Sequence, residues 1–376
     1  MAHDVAIVGA GIAGASLAAE LAPHARVVVL EAEDRPGYHA TGRSAAFWEE
    51  CYGGPEIVPL TLASGAYLRG GGFLARRGAL YIGREADRAE LDRFMNRFGS
   101  TGATIERLER EPLVAMVPGL RADWTGAVWE PACADIDVAA LHAHYLRAAA
   151  QAGARLALRA RVAALHRADG VWEIATEQGE RFRAAVLVNA AGAWADGVAA
   201  LAGARRIGIQ PLRRTVAQLR VEPAPPADLP LVLDIGGKFY FKPESGRLWL
   251  SPHDEEPSAA CDAAPEELAV AEAIDRFQRV VDWRVVAVEH KWAGLRSFAP
   301  DRLPVYGFDP QVEGFFWFAG QGGYGIQTSP AAARLAGQLV LGQDRDAMTA
   351  GLDASLYDPA RFAGRKALDS ADGAAT

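Results

Sequence analysis

Two kinds of residue in this chain are spaced for chemistry. Near the N-terminus, Gly9, Gly11 and Gly14 follow the apolar run Val5-Ala6-Ile7-Val8, and Glu31 closes a second apolar run, Arg26 to Leu30. Such a strand–turn–helix–strand unit brings a backbone against a pyrophosphate: Gly9 permits the tight turn, Gly11 the close approach, and Gly14 the packing of helix on strand. The free N–H groups at the start of the helix, read over Ala15 to Leu21, receive the phosphates. Glu31 is placed to accept from a ribose diol, which favours an unphosphorylated adenosine ribose, as in FAD or NAD. The second kind is a set of arginines and tyrosines from separate segments, Arg213, Arg214, Arg296, Tyr52 and Tyr240. A guanidinium with neutral hydroxyl donors beside it is the natural grip for a carboxylate.

The elements that must position these groups are spread along the chain. Phe315 to Ala319 reads as a buried strand, Gly320 to Gly325 as a glycine-rich loop, and Thr328-Ser329-Pro330 as a helix start leading into Ala331–Leu341. Ala184 to Val188 reads as another parallel strand running into a small-residue turn through Gly192. Three strand-to-turn sites over 320 residues predict one nucleotide domain assembled from distant segments.

Composition narrows the class. The chain has 376 residues, enough for two or three domains. Half of them are apolar and 23% charged, as in ordinary globular proteins. No apolar run is long enough to span a bilayer, and a net charge of −8 offers no field for nucleic acid. Cys51, Cys133 and Cys261 are too few and too scattered for a disulfide framework or a zinc site, so no metal is expected. With no basic leader at the N-terminus, a cytoplasmic protein is expected.

The segments GAGIAG at 9–14, GYHATGRSAA at 37–46, VNAAGAWAD at 188–196, WAGLRSF at 292–298 and GQGGYGIQTSP at 320–330 together resemble the FAD-dependent D-amino acid oxidase family, and within it the bacterial D-arginine dehydrogenase type. The resemblance runs from about Asp4 to Leu341. It implies an α/β protein: a Rossmann-like FAD-binding domain with a discontinuous α+β, mixed-sheet substrate domain. It also implies a noncovalent FAD whose ring lies between the two. Carried over residue by residue, Gly9, Gly11, Ala13, Gly14, Glu31 and Ala32 hold the ADP part, with Val162 near the adenine. Thr41, Gly42, Arg43, Ser44, Ala45 and Ala46 line the pyrophosphate and flavin. The turn at Gly192 adjoins them, and Gly322, Gly323, Tyr324, Gly325, Ile326, Gln327 and Thr328 wrap the pyrimidine side of the ring. A helix starting at Thr328 stabilises negative charge at the flavin N1–C2=O edge.

For the substrate, the resemblance implies that Arg296, Arg214, Tyr240 and Tyr52 bind the carboxylate and that the Gly323 carbonyl accepts from the amine; Arg213 remains the alternative to Arg214. The reaction implied is oxidative deamination of a D-amino acid to the 2-oxo acid and ammonia, by hydride transfer to flavin N5. The acidic partner for a guanidinium substrate is replaced at Ala79, and Phe47-Trp48-Glu49 stands where the relative has His, Tyr and Thr. A neutral, apolar or aromatic D-amino acid is therefore expected; Glu49 or Glu50 could replace the lost carboxylate, but adjacent acids on a surface helix are usually solvated, and they are read so here. An N-methyl or cyclic amino acid, or a 2-hydroxy acid, offers the same carboxylate, and a noncatalytic dinucleotide-binding protein is the remote alternative. The electron acceptor, quinone or O2, and the oligomeric state are left open.

The expected FAD-binding domain takes 1–72, 133–211 and 290–350, the substrate domain 73–132 and 212–289, and a tail 351–376.

Overall fold

The computed structural model describes residues 2–364, and they form two compact units. The first comprises 2–42, 139–211 and 296–364; the second comprises 43–138 and 212–295. The predicted α/β architecture is what the chain adopts.

The first unit is built on five parallel strands. Their order is Arg155–Ala157, Val27–Leu30, His3–Val8, Arg181–Asn189 and Phe315–Ala319. The runs are almost continuously apolar, as strands covered on both faces require. Val27 to Leu30 are all buried, and so are Phe315 to Ala319. Arg181–Asn189 also pairs through its first half with Val171–Thr176, which turns back on Val162–Ala168. That hairpin is joined at Asp169 and Gly170, both at positive φ, as a tight two-residue hairpin turn requires. Helices Ile12–Leu21 and Ser329–Leu341 pack on one another, and Val138–Gln151 turns Leu141, His142, Tyr145 and Ala149 inward.

The second unit carries a mixed sheet ordered Arg284–Phe298, Gln210–Glu222, Arg247–Ser251, Tyr240–Glu244, Leu231–Asp234, Ala79–Arg84, Trp124–Glu130 and Glu106–Glu109. Helix Glu267–Gln278 covers part of it, burying Val270, Ala273 and Phe277 against Phe241 and Leu250. A small sheet joins Phe47–Trp48, Ala134–Ile136 and Leu74–Arg76.

This division differs from the expected one at three boundaries, for reasons in the packing. Residues 43–72 belong to the second unit, because Phe47–Trp48 pairs with Ala134–Ile136 and Val58 is buried with Ala79. The same pairing takes 133–138 with them, and 290–295 continue a strand of the second sheet. The expected tail begins too early: Ala354–Tyr357 and Pro359–Phe362 form short helical turns, with Phe362 in the first unit's core and Tyr357 against Tyr306. Residues 365–376, the rest of that tail, lie outside the described residues. Replacing a buried Phe with Ala costs about 3–5 kcal/mol, so Phe362→Ala is expected to lower the denaturant midpoint of the whole chain substantially; a midpoint equal to that of the parent would mean the turn is peripheral.

Candidate functional site

Five of the six segments expected to hold the dinucleotide follow the C-terminal end of a parallel strand of the first sheet: 9–14 after Val8, 31–32 after Leu30, Val162 five residues beyond Ala157, Gly192 after Asn189, and 322–328 after Ala319. That is the edge where open α/β sheets bind ligands. The loop geometry fits a pyrophosphate. Gly9 sits at φ +101, and a Cβ there would lie 2.5 Å from the Ala190 carbonyl oxygen. A Cβ on Gly14 would collide with the Gly9 carbonyl. Ala13 follows in the first turn of the helix capped at Gly11.

Two side chains tie the loop down. The Ala10 N–H donates to Glu31 Oε2 at 2.8 Å, and the Glu33 N–H donates to Oε1 at 3.0 Å, leaving each carboxylate oxygen further acceptor capacity for a ribose. The Ile12 N–H donates to Thr41 Oγ1 at 2.9 Å, so one of the helix's four orphan donors is already occupied. Ala32 is half-buried, and the chain leading to Val162 runs beside it, with the Ala160 N–H donating to the Glu31 carbonyl at 2.7 Å and the Arg159 N–H to that of Glu33 at 2.9 Å. The Gly42 N–H donates to the Gly37 carbonyl, closing the segment that carries Thr41.

The sequence reading missed a residue here. His142 Nε2 lies 2.8 Å from the Ala10 carbonyl oxygen, and a Cβ on Gly37 would meet its ring. The carbonyl only accepts, so Nε2 carries the hydrogen; burial holds the imidazole pKa below its usual value, favouring the neutral ring. His142 thus braces both the glycine turn and the 37–42 segment. Its signal in the sequence was its place on the inward stripe of Val138–Gln151.

The second glycine-rich loop is equally constrained. Gly322 sits at φ +55, and a Cβ would lie 2.6 Å from Phe298 and 2.8 Å from Tyr324. Tyr324 donates its hydroxyl hydrogen to the Arg302 carbonyl. Gly325 packs on Gln321, and Ile326, Gln327 and Thr328 are buried. Thr328 precedes helix Ser329–Leu341, but its hydroxyl donates back to the Tyr324 carbonyl at 2.9 Å and makes no capping bond. In the first turn of that helix the Ser329 N–H donates to the Ile326 carbonyl at 3.3 Å and the Ala332 N–H to that of Thr328 at 2.9 Å, while Pro330 has no N–H to give.

Arg296 stands beside this loop. Ser297 pairs with Gly322 and Phe298 with Gln321, so Arg296 and Gly323 each adjoin the last pair of this antiparallel ladder. The guanidinium is half-buried, 5.3 Å from the centre of the Phe298 ring.

The remaining candidates lie in the second unit. Arg43, expected along the cofactor, turns its guanidinium to Asp262 and to the carbonyls of Ala263 (2.9 Å) and Ala293 (3.2 Å). Ser44, Ala45 and Ala46 are half-buried and lead into Phe47–Trp48. Both second-anchor candidates hold acids: Arg214 Nε donates to the Asp254 carbonyl at 2.9 Å and its Nη2 lies 3.6 Å from Glu255, while Arg213 lies 2.7 Å from Glu266 and 3.7 Å from Asp254. Tyr240 is buried, its ring 6.2 Å from Phe47 and 5.7 Å from His253, and it shares one cluster with Phe47, Cys51, Ala79 and Tyr81. Tyr52 is half-buried.

Glu49 and Glu50 overturn the expectation of solvated acids on a helix. They sit in a turn after Phe47–Trp48 at 4% and 5% exposure, because each finds donors inside: Tyr81 donates to Glu49, and the Thr104 N–H to Glu50 at 2.6 Å. Burial pushes the Glu49 carboxyl well above the usual range, with Glu130 adding like-charge repulsion. Burial also raises Glu130, from 4.5 to about 7, against the pull of N–H donors from Glu50 and Cys51.

The family model described as FAD dependent oxidoreductase (DAO) matches residues 4–339. The chain belongs to that family, and its cofactor is FAD. Glycine oxidase of Geobacillus kaustophilus is 27% identical over 355 residues, covering 90% of this chain and 93% of that protein. The crystal structure of glycine oxidase from the same organism gives a TM-score of 0.82 at 27% identity, covering 96% of this chain and 98% of the other. That of iminodiacetate oxidase from Chelativorans sp. BNC1 gives 0.78, also at 27%, with 94% and 98% covered.

Two outcomes follow. His142→Ala is expected to weaken FAD binding about tenfold, the loss of roughly one buried hydrogen bond, read by fluorescence titration of the apoprotein; an unchanged Kd would remove the brace. Glu49 and Glu130 keep protons in the folded chain that they release on unfolding above pH 4.5, so the folded state binds more protons and stability falls as pH rises toward about 7. The drop in Tm between pH 5 and 8 is expected to be smaller in Glu130→Gln than in the parent, and equal drops would refute the linkage.

Proposed function

We propose that the chain deaminates a neutral D-amino acid with an apolar or aromatic side chain, giving the 2-oxo acid and ammonia. The observation that carries this reading is the ladder whose last pair, Ser297 and Gly322, is adjoined by Arg296 on one strand and Gly323 on the other side. A guanidinium and a backbone carbonyl offer charges of opposite sign, matched to the carboxylate and the amine of one amino acid. The reading assigns Tyr52 and Tyr240 as further hydrogen-bond donors to the carboxylate. Arg214 is the proposed second cation, although its contacts with Asp254 and Glu255 give it a structural task as well.

FAD, when bound, supplies the two-electron acceptor for the Cα hydride; Gly9 to Gly14, Glu31 and Ala32 are proposed to hold its ADP part, with Val162 at the adenine. Thr41 to Ala46, Gly192 and Gly322 to Thr328 are proposed along the rest. The chain's own contribution is orientation: fixing the carboxylate and amine fixes the Cα–H, and the amine lone pair then forms the C=N bond without a protein base at carbon. Water adds to the released imine and expels ammonia. The electrons pass to O2 or a quinone.

The side-chain preference rests on Phe47, Ala79, Tyr81 and Tyr240, which form one apolar cluster in which Ala79 offers no charge to a basic substrate. A second reading, favoured by the likeness to glycine oxidase and iminodiacetate oxidase, is an unsubstituted or N-substituted glycine. A cytoplasmic setting belongs to the proposal and is supported by three free thiols.

Anaerobic bleaching of the flavin across D- and L-amino acids, glycine, iminodiacetate, sarcosine and 2-hydroxy acids separates these readings. Reduction by neutral D-amino acids is expected, and exclusive reduction by glycine or its N-substituted forms would replace the first reading with the second. Arg296→Met is expected to raise KM at least about a hundredfold with flavin retained, as removing a charged hydrogen-bonding partner does; an unchanged KM would withdraw the assignment.

A further inference from the structure

Glu130 ends the strand Trp124–Glu130, paired across from Ala79, and is fully buried. Its carboxylate meets a single turn. The Tyr52 N–H donates to the Glu49 carbonyl at 3.3 Å, closing Glu49–Tyr52, and the two central N–H groups both point at Glu130: that of Glu50 donates to Oε1 at 2.5 Å, and that of Cys51 to Oε2 at 3.4 Å. A glutamine offers one acceptor oxygen and two donors, so only a carboxylate can receive both N–H groups through separate oxygens. The turn's own acids are engaged elsewhere, Glu49 by Tyr81 and Glu50 by Thr104. All three contacts hold the backbone immediately before Tyr52, the only residue of the turn that is not buried. Keeping three carboxyl groups out of water is costly and needs compensation; a task for the turn they fix accounts for it.

We propose that Glu130 is a positioning residue for substrate binding: by clamping the central N–H groups of the Glu49–Tyr52 turn it sets the Tyr52 hydroxyl for the substrate carboxylate. The inference rests on the reading of Tyr52 given above and adds to it the residue that aims that side chain. Chemically, Glu130 touches neither substrate nor cofactor, so its effect falls on substrate affinity and spares the chemical step.

The test is a double-mutant cycle in the FAD-loaded enzyme at about pH 8.5, above the range in which Glu130 holds its proton, using an amino acid that bleaches the flavin. Glu130→Gln is expected to raise KM about tenfold, the worth of a weakened charged hydrogen bond, with kcat within about twofold and FAD content unchanged. In a Tyr52→Phe background the same substitution is expected to change KM by less than about twofold, because the group it aims is gone. If Glu130→Gln does not accumulate as folded protein, Glu130→Asp, which keeps the charge and withdraws it by one methylene, is expected to give the same split and the same loss of effect beside Tyr52→Phe. Fully additive effects, or a fall in kcat without a rise in KM, would overturn the positioning role while leaving Tyr52 in place. If Tyr52→Phe alone leaves KM unchanged, the assignment of Tyr52 fails, and the role of Glu130 fails with it.

Discussion

The first unit is organised around a backbone that comes too close to itself for any side chain to intervene. At Gly9 the chain leaves His3–Val8 with positive φ and passes the Ala190 carbonyl, and the helix that follows seats Gly14 on the Gly9 carbonyl. Every later feature of the dinucleotide loop is built on that closeness. Glu31 and Thr41 reach the N–H groups of Ala10 and Ile12, and His142 reaches the Ala10 carbonyl. The turn is thus held by three side chains from three other segments, and it arrives preorganised, with less ordering left for a bound phosphate to impose.

The second unit solves a different problem, the burial of acids. Glu49, Glu50 and Glu130 lie out of water, each receiving N–H or O–H donors. Cys51 and Cys133 lie beside them, and burial together with the nearby carboxyls pushes both thiols up, so neither is a thiolate near neutral pH. This is the arrangement of a scaffold, in which donors offset the cost of desolvation.

What could be read from the chain, and what could not, follows the range of the forces involved. Val5 to Val8, the glycine turn and Phe315 to Ala319 announce themselves locally, because strand burial and turn geometry are written in adjacent residues. Glu49 and Glu50 did not, since adjacent acids ordinarily seek water and the donors that bury them come from Tyr81 and Thr104. The fate of Arg213 and Arg214 was hidden in the same way: both reach Asp254 across about forty residues of sequence. Residues 43–72 follow the nucleotide motif directly in the chain, while the strand that claims them, Ala134–Ile136, lies far downstream.

The strand order also dictates when the fold can be finished. On the ribosome, Arg181–Asn189 emerges with one edge bare along its second half, and the partner that covers it, Phe315–Ala319, is made more than a hundred residues later. The second segment of the second unit, 212–295, is translated in that interval. Vectorial synthesis therefore holds an unpaired apolar edge open for the time needed to translate the inserted segments, about 6–25 seconds at ordinary elongation rates. The long-range closure that makes the nucleotide sheet is in this way also the period of its greatest exposure to aggregation and to chaperones.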